Sequence, residues 1–371
     1  MTSPTSVCAG PPAPGSAATP SGAGSPAVPD GAHRTLARCR DLVRPSLSDA
    51  IGRLHPWQGE MAAFSLGWCE VGGAPSDGSR EGKGVRQALA VLCAEAAGAP
   101  GESAVAAAVA VELVHTFSLL HDDIMDGDGT RRQRETVWKA YGTGPAVLAG
   151  DALFALAVQT LAEAPGPLTA AAVGRLSETL SGLARGQAED LLLAARPWTG
   201  PGAVRTDEYR AMAELKTGTL LGCAAALGGL LGGAPRPVVA ALDRAGRHLG
   251  VAFQAVDDLL GVWGDPEVTG KPVHGDLRQR KKTFPVLAAL AGGGPRSAEL
   301  AGLLDAPMPL DDAGARRAAV LVEACGGREA TLDEARRHLD GARACLRSVP
   351  LAPEAAREIE ALLGFLLHRR M

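Results

Sequence analysis

The stretch HDDIMDGDGTRR, residues 121–132, places four aspartates and two arginines directly after the apolar run ELVHTFSLL. On a helix, Asp122 and Asp126 share one face, and Asp123 lies one step around it. Like charges at this spacing repel each other, and acidic groups at the C-terminal end of a helix also oppose the helix dipole. The stretch therefore predicts a site for a positively charged partner at the end of an apolar helix.

The most suitable partner for these carboxylates is a hard divalent cation. Mg²⁺ prefers oxygen ligands and is usually held by a few carboxylates together with phosphate oxygens and water. Arg131 and Arg132 add planar donors that match phosphate groups. By contrast, Asp311 and Asp312 in LDDAGARR precede a predicted helix, where aspartates act as caps and agree with the helix dipole. Carboxylates, metal and arginines together indicate that residues 121–132 bind a diphosphate.

A second acidic stretch, FQAVDDLLGVWGD at residues 253–265, ends another apolar helix with Asp257 and Asp258. Two acidic helix ends that face each other would hold a diphosphate through several metal ions. Only six of the 37 basic residues are lysines. Five of these lie in short motifs that contain Gly, Thr or Pro, namely Lys83, Lys216, Lys271, Lys281 and Lys282. Because Arg serves as the general surface cation, these compact charges favour phosphate binding.

The remaining sequence predicts an all-α fold, an antiparallel helix bundle. The chain has 371 residues, of which 46% are hydrophobic, so it can bury a large core. From about Leu36 onward, apolar residues recur at helical spacing between short Gly/Pro-rich breaks, and strand signals are nearly absent. The predicted helices are 36–55, 86–97, 102–125, 145–163, 167–195, 207–231, 236–262, 283–291, 313–325, 332–347 and 353–368.

Composition also limits the possible partners and location. The net charge of -4 is near balance and no basic stripe interleaved with aromatics occurs, so nucleic acid is not expected as a partner. Seven scattered cysteines without a CxxC pair predict small buried side chains in a reducing cytoplasm. No apolar run of membrane-spanning length and no signal peptide is recognisable, so we expect no stable membrane insertion. Residues 1–33, rich in Ala, Pro, Gly and Ser, are predicted to be a disordered tail before one domain at 34–371.

Motifs in a fixed order carry a resemblance to a known family. They are GKGVR (82–86), ELVHTFSLLHDDIMDGDGTRR (112–132), VLAGDALFA (147–155), GQAEDL (186–191), LKTGTL (215–220), GVAFQAVDDLLGVWGD (250–265) and TGKPVHGDLRQRKKTFPV (269–286). With them the chain resembles the trans-type isoprenyl diphosphate synthases, or polyprenyl synthetases, from about Gly82 to Pro285. The resemblance implies the isoprenoid synthase fold, with helices around a deep central cavity, and a homodimer. Residues 34–371 would form its catalytic domain.

The resemblance also implies roles for individual residues. Asp122, Asp126 and Asp257 would bind about three Mg²⁺ ions and so fix an allylic diphosphate. The residues expected to assist at that diphosphate are Arg131, Lys216 and Lys271, and those expected to bind isopentenyl diphosphate are Lys83, Arg86, His115 and Arg132. Oxygens of Thr217 and Gln254 would face the carbocation. In the implied prenyl transfer the allylic diphosphate ionises, the isopentenyl double bond attacks C1, and pyrophosphate takes the final proton.

The second acidic motif departs from the family pattern. The family usually has DDxxD, whereas Gly261 stands in place of the last aspartate here and Asp265 follows a turn later. Asp257 is the indispensable ligand in the resemblance, so activity is still expected. Asp265 is a weaker candidate for a substitute ligand, and it would otherwise cap the loop GDPEVTG.

Product length is expected to depend on residues just before the first acidic motif. Phe117 and Ser118 precede Asp122 by about 6–7.5 Å of helical rise. By resemblance, a bulky Phe at this place without an insertion in the motif favours a C20 product, as in a geranylgeranyl diphosphate synthase, with C15 next. Residues 39–68 and the tail also resemble an actinobacterial subgroup described as cargo of encapsulin-type protein shells, so the tail would dock onto such a shell.

Two other functions stay open at this point. A class I terpene cyclase shares the first acidic motif but needs a second one of the form NDxxSxxxE, and this chain contains no asparagine. A non-catalytic or regulatory subunit would be expected to lose the first acidic motif, yet Asp122, Asp123 and Asp126 are all present. Gly261 keeps the interpretation as a silent subunit open.

Overall fold

The computed structural model of this chain describes residues 30–76, 82–265, 273–306, 308 and 310–367. The helices in these residues are α1 (Asp30–Gly52), α2 (Pro56–Leu66), α3 (Val85–Ala96), α4 (Val105–Asp126), α5 (Val137–Tyr141), α6 (Thr143–Ala162), α7 (Thr169–Ala194), α8 (Thr206–Ala213), α9 (Thr219–Leu231), α10 (Arg236–Trp263), α11 (Gly275–Arg278), α12 (Phe284–Ala291), α13 (Gly294–Leu304), α14 (Asp312–Ala324), α15 (Gly327–Arg347) and α16 (Pro353–Leu367). A 3₁₀ turn (Gly101–Ala104) precedes α4, a π-helical turn (Glu214–Gly218) joins α8 to α9, and a short antiparallel hairpin pairs β1 (Thr130–Arg131) with β2 (Arg134–Glu135). The predicted all-α fold is confirmed.

The helix that carries the first acidic motif lies in the core. Residues 107–114 of α4 are all buried, and α4 packs against α3, α6 and α9. The helix ends at Asp126 because Gly127 adopts a left-handed conformation, with φ at 69°, and its N–H bonds to the carbonyl of Ile124. This packing holds the acidic end of α4 in one place.

The main hydrophobic core is built from buried side chains of α3, α4, α6, α7, α9 and α10, among them Leu113, Leu153 and Leu242. A smaller hydrophobic cluster includes Val262 at the end of α10 and Leu277 in α11. It supports the segment that follows the second acidic motif.

Glycines allow the π-helical turn to fit between α7 and α10. A Cβ on Gly186 in α7 would lie 2.5 Å from the backbone nitrogen of Lys216. A Cβ on Gly250 in α10 would lie 2.4 Å from Cα of Gly218. Atoms in close-packed interiors do not approach this closely, so both positions need glycine. The turn, with Lys216 and Thr217, is therefore clamped between the two helices.

Two predicted boundaries change in the structure. The predicted helix 207–231 is divided into α8, the π-helical turn and α9, because the extra residue of a π turn leaves no mark in hydrophobic spacing. The first helix begins at Asp30, so residues 30–33 of the predicted tail are helical, and Ala32 is fully buried. Residues 1–29 lie outside the described residues.

The sequence predicts neither α2 nor α13 nor the hairpin. Both helices have a proline, Pro56 or Pro295, at the first or second helical position, where proline starts a helix instead of breaking it. The strands of the hairpin are two residues long, which is too short for an alternating pattern to be visible.

The acidic pair before α14 acts as predicted. Oδ1 of Asp311 accepts a hydrogen bond from the backbone N–H of Gly314 at 2.8 Å and caps the helix. Asp312, in the first helical turn, also pairs with Arg278 at 2.8 Å. The same sequence pattern is thus a cap at the start of a helix, in contrast to the end of α4.

The expectation that no segment is apolar enough to span a membrane was wrong. Within the described part of the chain, Gly101–Asp126 and Thr143–Ala162 qualify by length and composition. The most apolar window of the first is 61% buried inside the protein, and that of the second is 39% buried. The first is mainly a core helix, whereas α6 leaves apolar side chains such as Leu148 and Phe154 exposed.

Candidate active site

The first acidic helix end lies among positively charged side chains. The side chain of Asp122 is 19% exposed, and its Oδ2 lies 4.0 Å from Nζ of Lys216. Nζ of Lys281 donates a hydrogen bond to Asp126 at 3.2 Å. Burial raises the pKa of Asp122 to about 6, although the charge of Lys216 lowers it. A cation bound beside Asp122 would offset this cost of burial.

Asp123 has a different partner from its two neighbours in the motif. It is 5% exposed, and its Oδ1 accepts hydrogen bonds from Nε and Nη2 of Arg131 at 2.8 and 2.6 Å. This charge-assisted pair ties the hairpin to the end of α4. Asp122 and Asp126 are therefore the carboxylates of this motif that can face a ligand.

Arg131 is the last residue of β1 and Arg132 is the first residue of the turn that follows, and the two side chains reach towards different parts of the site. Arg131 contacts Asp123 on the α4 side. A Cβ on Gly82 would lie 3.0 Å from Nη1 of Arg132, so Arg132 reaches the segment before α3. The adjacent arginines thus serve two neighbouring regions.

The two-residue turn between β1 and β2 is strained. Arg132 and Gln133 have φ values of 51° and 62°, which residues other than glycine rarely adopt. Arg134 anchors the turn by donating to the carbonyl of Cys69 at 2.6 Å and to Glu70 at 3.0 Å. Such strain persists where the surrounding contacts over-determine the backbone, which is common at functional sites.

A second basic region lies where α3 meets the middle of α4. Nη1 of Arg86 donates to Nε2 of His115 at 3.1 Å. Burial and the charge of Arg86 hold the pKa of His115 well below its usual value, so the ring is neutral and can accept this hydrogen bond. Glu112 is buried one turn before His115, where burial raises its pKa and the charges of Arg86 and Arg132 lower it.

Aromatic rings border this basic region. The guanidinium carbon of Arg86 lies 5.9 Å from the centroid of the Phe253 ring on α10. Nζ of Lys83 lies 5.1 Å from the centroid of the Phe365 ring on α16. Aromatic side chains of α10 and α16 therefore border the basic side chains at the start of α3.

The π-helical turn directs two consecutive residues to different helices. Nζ of Lys216 donates to Asp190 at 2.7 Å and lies beside Asp122 on α4. The hydroxyl of Thr217 donates to Oε1 of Gln254 on α10 at 2.9 Å. An inserted residue of this kind changes the direction of side chains and is frequent at functional sites. The turn connects the first acidic end to the helix that carries the second.

The second acidic end contains one buried and one half-buried aspartate. Asp258 is 2% exposed; its Oδ2 accepts from the Tyr209 hydroxyl at 2.6 Å and from the Phe284 N–H at 2.9 Å. Its Oδ1 accepts from Nε2 of Gln254 at 2.9 Å. Burial raises the pKa of Asp258 to about 7, although these donors lower it. Asp257, half-buried, is the carboxylate of this pair that can face a ligand.

Gly261 borders an aspartate from another element. A Cβ on Gly261 would lie only 1.8 Å from Oδ2 of Asp276, which is 8% exposed in α11. The carboxylate of Asp276 therefore fills the space in which a side chain at position 261 would begin. The motif that lacks its last aspartate has a carboxylate beside it from a different segment.

The segment around α11 also joins the two acidic ends. Lys281 contacts Asp126 of the first motif through Nζ, and its backbone N–H bonds to the carbonyl of Asp276 at 2.8 Å. Three residues later, the N–H of Phe284 binds Asp258 of the second motif. With the π-helical turn, this is a second link between α4 and α10.

Phe117 lies in an aromatic cluster below the first acidic motif. Its ring centroid is 4.9 Å from that of His121 and 5.5 Å from that of Phe154 on α6, both edge to face. The hydroxyl of Ser118 donates to the backbone carbonyl of His115 at 2.8 Å. Phe117 and Phe154 are thus the two bulky side chains just before the first acidic motif, whereas the side chain of Ser118 is small.

Most residues singled out from the sequence come together in two groups. Asp122, Asp126, Arg131, Lys216, Thr217, Gln254 and Asp257 lie on the elements that form the two acidic ends. Arg86, His115 and Arg132 lie together in the basic region, and Lys83 lies beside Phe365. Lys271 lies outside the described residues.

Other residues of the site were not predicted for it. Asp190 and Asp276 were present in the quoted motifs GQAEDL and TGKPVHGDLRQRKKTFPV, so the motifs were the available signal. Lys281 and Lys282 were predicted alike as phosphate-binding lysines. In the structure Lys281 contacts the first acidic end, whereas Lys282 donates to the carbonyl of Ala194 at 3.0 Å. Spacing along the chain could not separate these two lysines.

The carboxylates fit Mg²⁺ ions that are completed by a substrate. Within residues 30–367 as far as they are described, no three His, Cys, Asp or Glu side chains converge on one metal position. Mg²⁺ commonly keeps waters and binds phosphate oxygens along with one or two carboxylates. Asp122 and Asp126, with hard oxygen donors and basic neighbours for phosphate, meet this requirement.

Comparisons with known proteins point to one family over most of the chain. The family model described as Polyprenyl synthetase matches residues 77–309. A (2E,6E)-farnesyl diphosphate synthase of Mycobacterium tuberculosis is 42% identical over 343 residues, 90% of this chain and 92% of the relative. A geranylgeranyl diphosphate synthase of the same organism is 45% identical over 293 residues, 79% and 82% of the two chains. The solved structure of a polyprenyl synthetase from Streptomyces coelicolor A3(2) has a TM-score of 0.84 at 46% identity, and covers 90% of this chain and 98% of that one.

Proposed function

This chain belongs to the polyprenyl synthetase family, and we propose that it condenses isopentenyl diphosphate with an allylic diphosphate to give a short-chain all-trans prenyl diphosphate. The observation that carries the proposal is the π-helical turn. There Lys216 lies beside Asp122, and the next residue, Thr217, bonds to Gln254. A diphosphate bound at the first acidic end would bring its allylic carbon next to these oxygens.

The allylic diphosphate would bind at the two acidic ends. Asp122, Asp126 and Asp257 would hold Mg²⁺, about three ions with substrate present. When bound, these ions stabilise the negative charge of the departing pyrophosphate. Lys216 and Arg131 place positive charge beside this site. Lys271 is part of the same proposal through the family resemblance alone.

Isopentenyl diphosphate would bind in the basic region between α3 and α4. Arg86, Arg132 and Lys83 supply the positive charge there. Neutral His115 accepts a hydrogen bond from Arg86 and so orients its guanidinium group. A planar guanidinium held in this way can bind a phosphate through two parallel hydrogen bonds.

The residues between the two diphosphates would handle the charge that develops on carbon. The allylic C1–O bond breaks with its electron pair on pyrophosphate, and the isopentenyl double bond supplies the pair for the new C–C bond. Oxygens of Thr217 and Gln254 would stabilise the cation, and pyrophosphate would take the proton that is lost. Phe117, with Ser118 beside it, would limit the length of the product. The expected product is C20, with C15 next.

One assay tests this proposal. Purified protein is incubated with isopentenyl diphosphate, Mg²⁺ and each allylic primer, and the dephosphorylated alcohols are sized by chromatography. Elongation that stops at C20 and disappears when Mg²⁺ is chelated is expected. Absence of elongation with every primer would contradict the catalytic function and favour a silent subunit.

We also propose a homodimer formed through the exposed face of α6. Leu148 and Phe154 on this face are 57% and 39% exposed, which favours a protein partner. Light scattering after size-exclusion chromatography should give a dimer for the wild type and a monomer for Leu148→Asp. Val320, on α14 and equally exposed at 57%, provides the matched control Val320→Asp, which should stay dimeric.

The proposed location is the cytoplasm, within an encapsulin-type shell to which the tail docks. Support comes from the resemblance of residues 39–68 and from the tail composition. Because α1 starts at Asp30 and buries Ala32, deletion of residues 1–29 removes none of the described residues. This deletion should abolish co-purification with a co-expressed shell protein and retain the condensation activity. Unchanged co-purification would refute the docking role.

A further inference from the structure

A chain of hydrogen bonds runs from Tyr209 through Asp258 and Gln254 to Thr217. The Tyr209 hydroxyl donates to Asp258, Nε2 of Gln254 donates to Asp258, and the Thr217 hydroxyl donates to Oε1 of Gln254. The chain spans α8, α10 and the π-helical turn, so residues from separate parts of the sequence meet in it. Asp258 lies at its buried centre and Thr217 at the end next to Lys216.

The direction of the hydrogen bonds in this network follows from the groups that can only donate or only accept. The backbone N–H of Phe284 can only donate, so Oδ2 of Asp258 must accept. In its ionised form Asp258 also accepts at Oδ1, so Gln254 turns its NH₂ group towards Asp258 and its carbonyl oxygen towards Thr217. Thr217 then uses its single hydroxyl hydrogen on Gln254. The lone pairs of Thr217 Oγ1 are what remains for the reaction site.

We propose that Asp258, supported by Tyr209, is a positioning residue that fixes the orientation of the Gln254 amide and of the Thr217 hydroxyl, so that oxygen lone pairs face the allylic cation. This inference rests on the proposed condensation, because that reaction places a cation beside Thr217. A fixed dipole stabilises a transition state better than one that must reorient. Asp258 thereby acts on the cation without touching it.

The substitution Asp258→Asn tests the orientation directly. Asparagine has the same shape, and its oxygen must remain opposite the Phe284 N–H. Its NH₂ group then faces Gln254, whose amide must turn over and present NH₂ to Thr217. Thr217 becomes an acceptor, and its hydroxyl hydrogen is directed towards the cation. The variant therefore reverses a dipole while the packing is preserved.

Two readouts separate positioning from simple support of the fold. In Asp258→Asn we expect kcat to fall roughly a hundredfold, with KM for both diphosphates unchanged within about threefold. The second readout is binding of a nitrogen-containing allylic diphosphate analogue, positively charged at the reacting position, relative to an uncharged thiolodiphosphate analogue. The wild type should prefer the charged analogue, and the variant should lose this preference.

A double-mutant cycle supplies the matched control. Thr217→Val removes the hydroxyl with little change in shape, so Asp258→Asn should cause a much smaller loss of kcat in that background, from the Gln254 amide alone. Additive losses would overturn the proposal, since they mean that Asp258 acts by another route. Asp311→Asn should leave kcat and both affinities unchanged, because asparagine caps a helix as well as aspartate does.

The remaining outcomes are also decisive. If Asp258→Asn does not fold, Tyr209→Phe replaces it in the cycle, and a loss of kcat that is equal with and without the Thr217 hydroxyl overturns the inference. An unchanged preference for the charged analogue in a folded Asp258→Asn protein overturns it as well. If the wild type fails to condense any substrate pair, the proposed function fails first, and this inference fails with it.

Discussion

The two acidic helix ends carry the same Asp-Asp pair, yet their second aspartates have different partners. At the end of α4, Asp123 binds the guanidinium of Arg131. At the end of α10, Asp258 binds a tyrosine hydroxyl, a backbone N–H and an amide, all neutral. Adjacent residues on a helix point about 100° apart, so only one of each pair can face the site. The second aspartate thus supports the site in both cases, through a charged contact at one end and a buried neutral network at the other.

The side chains around the two acidic ends also differ in charge. The first end has Lys216 and Lys281 at hand, and its carboxylates are open to solvent in part. The second end has Gly261 at the place of the last aspartate in DDxxD, and this glycine is next to the buried Asp276. The first motif is therefore the more electrostatic part of the site, and the second depends more on packing.

The largest expected effect separates Asp257 from Asp258. Asp257→Ala should lower kcat/KM roughly a thousandfold, as expected for loss of a group that stabilises transferred charge, and should change the unfolding free energy by less than about 1 kcal/mol. Asp258→Ala should cost about 3 kcal/mol or more of stability, because it leaves buried donors without an acceptor. Chemical denaturation and steady-state kinetics measure both. The reverse assignment of the two effects would refute the comparison.

A smaller effect concerns the packing of the second end. Gly261→Ala should destabilise the protein by about 1–3 kcal/mol, since the new Cβ overlaps the carboxylate of Asp276. The double variant Gly261→Ala with Asp276→Gly should recover most of that stability. If Gly261→Ala alone is neutral in denaturation, the close contact between α10 and α11 is not present in solution.

The first end should respond to pH in the opposite way to a salt-bridged carboxylate. The pKa of Asp122 is raised in the folded state to about 6, so its ionisation is unfavourable to folding, and stability is lost as pH rises from about 4 to 6. Without Mg²⁺, Asp122→Asn should therefore stabilise the protein by about 1–2 kcal/mol at pH 8 and have little effect at pH 4. Unfolding curves at both pH values check the sign. Destabilisation at pH 8 would show that Asp122 is better paired than the structure indicates.

The smallest expected effect on free energy comes from a substitution that changes the length of the product and not the reaction rate. Phe117→Ala opens space at the α4 side and should lengthen the product beyond that of the wild type. The phenylalanine just before the second motif is Phe253, which lies beside Arg86. Phe253→Ala should raise KM for isopentenyl diphosphate and leave product length unchanged. Chromatography of the alcohols would contradict the comparison if both variants gave the same product pattern.

Much of this arrangement could be predicted from sequence, because charge at a helix end is a local signal. The spacing of Asp122 and Asp126 and their position after an apolar run indicated the first site. Capping by Asp311 followed from the same reasoning at the opposite end of a helix. The long helices also followed from their apolar spacing.

The parts that could not be predicted depend on contacts between distant segments. The π-helical turn requires Gly186 and Gly250 on two other helices, and nothing in the local pattern of LKTGTL marks it. The place of Asp276 beside Gly261 arises only when α11 packs on α10. For the same reason, sequence could not tell that Lys281 faces the site while Lys282 does not.

The most direct test of the central claim is the position of metal ions between the two helix ends. Crystals grown with Mn²⁺ and inorganic pyrophosphate would show the ions as anomalous difference peaks. We expect peaks bounded by Asp122 and Asp126 on one side and Asp257 on the other, with Asp123 and Asp258 in their present contacts. Peaks at Asp123 or Asp258, or no peak between α4 and α10, would contradict it.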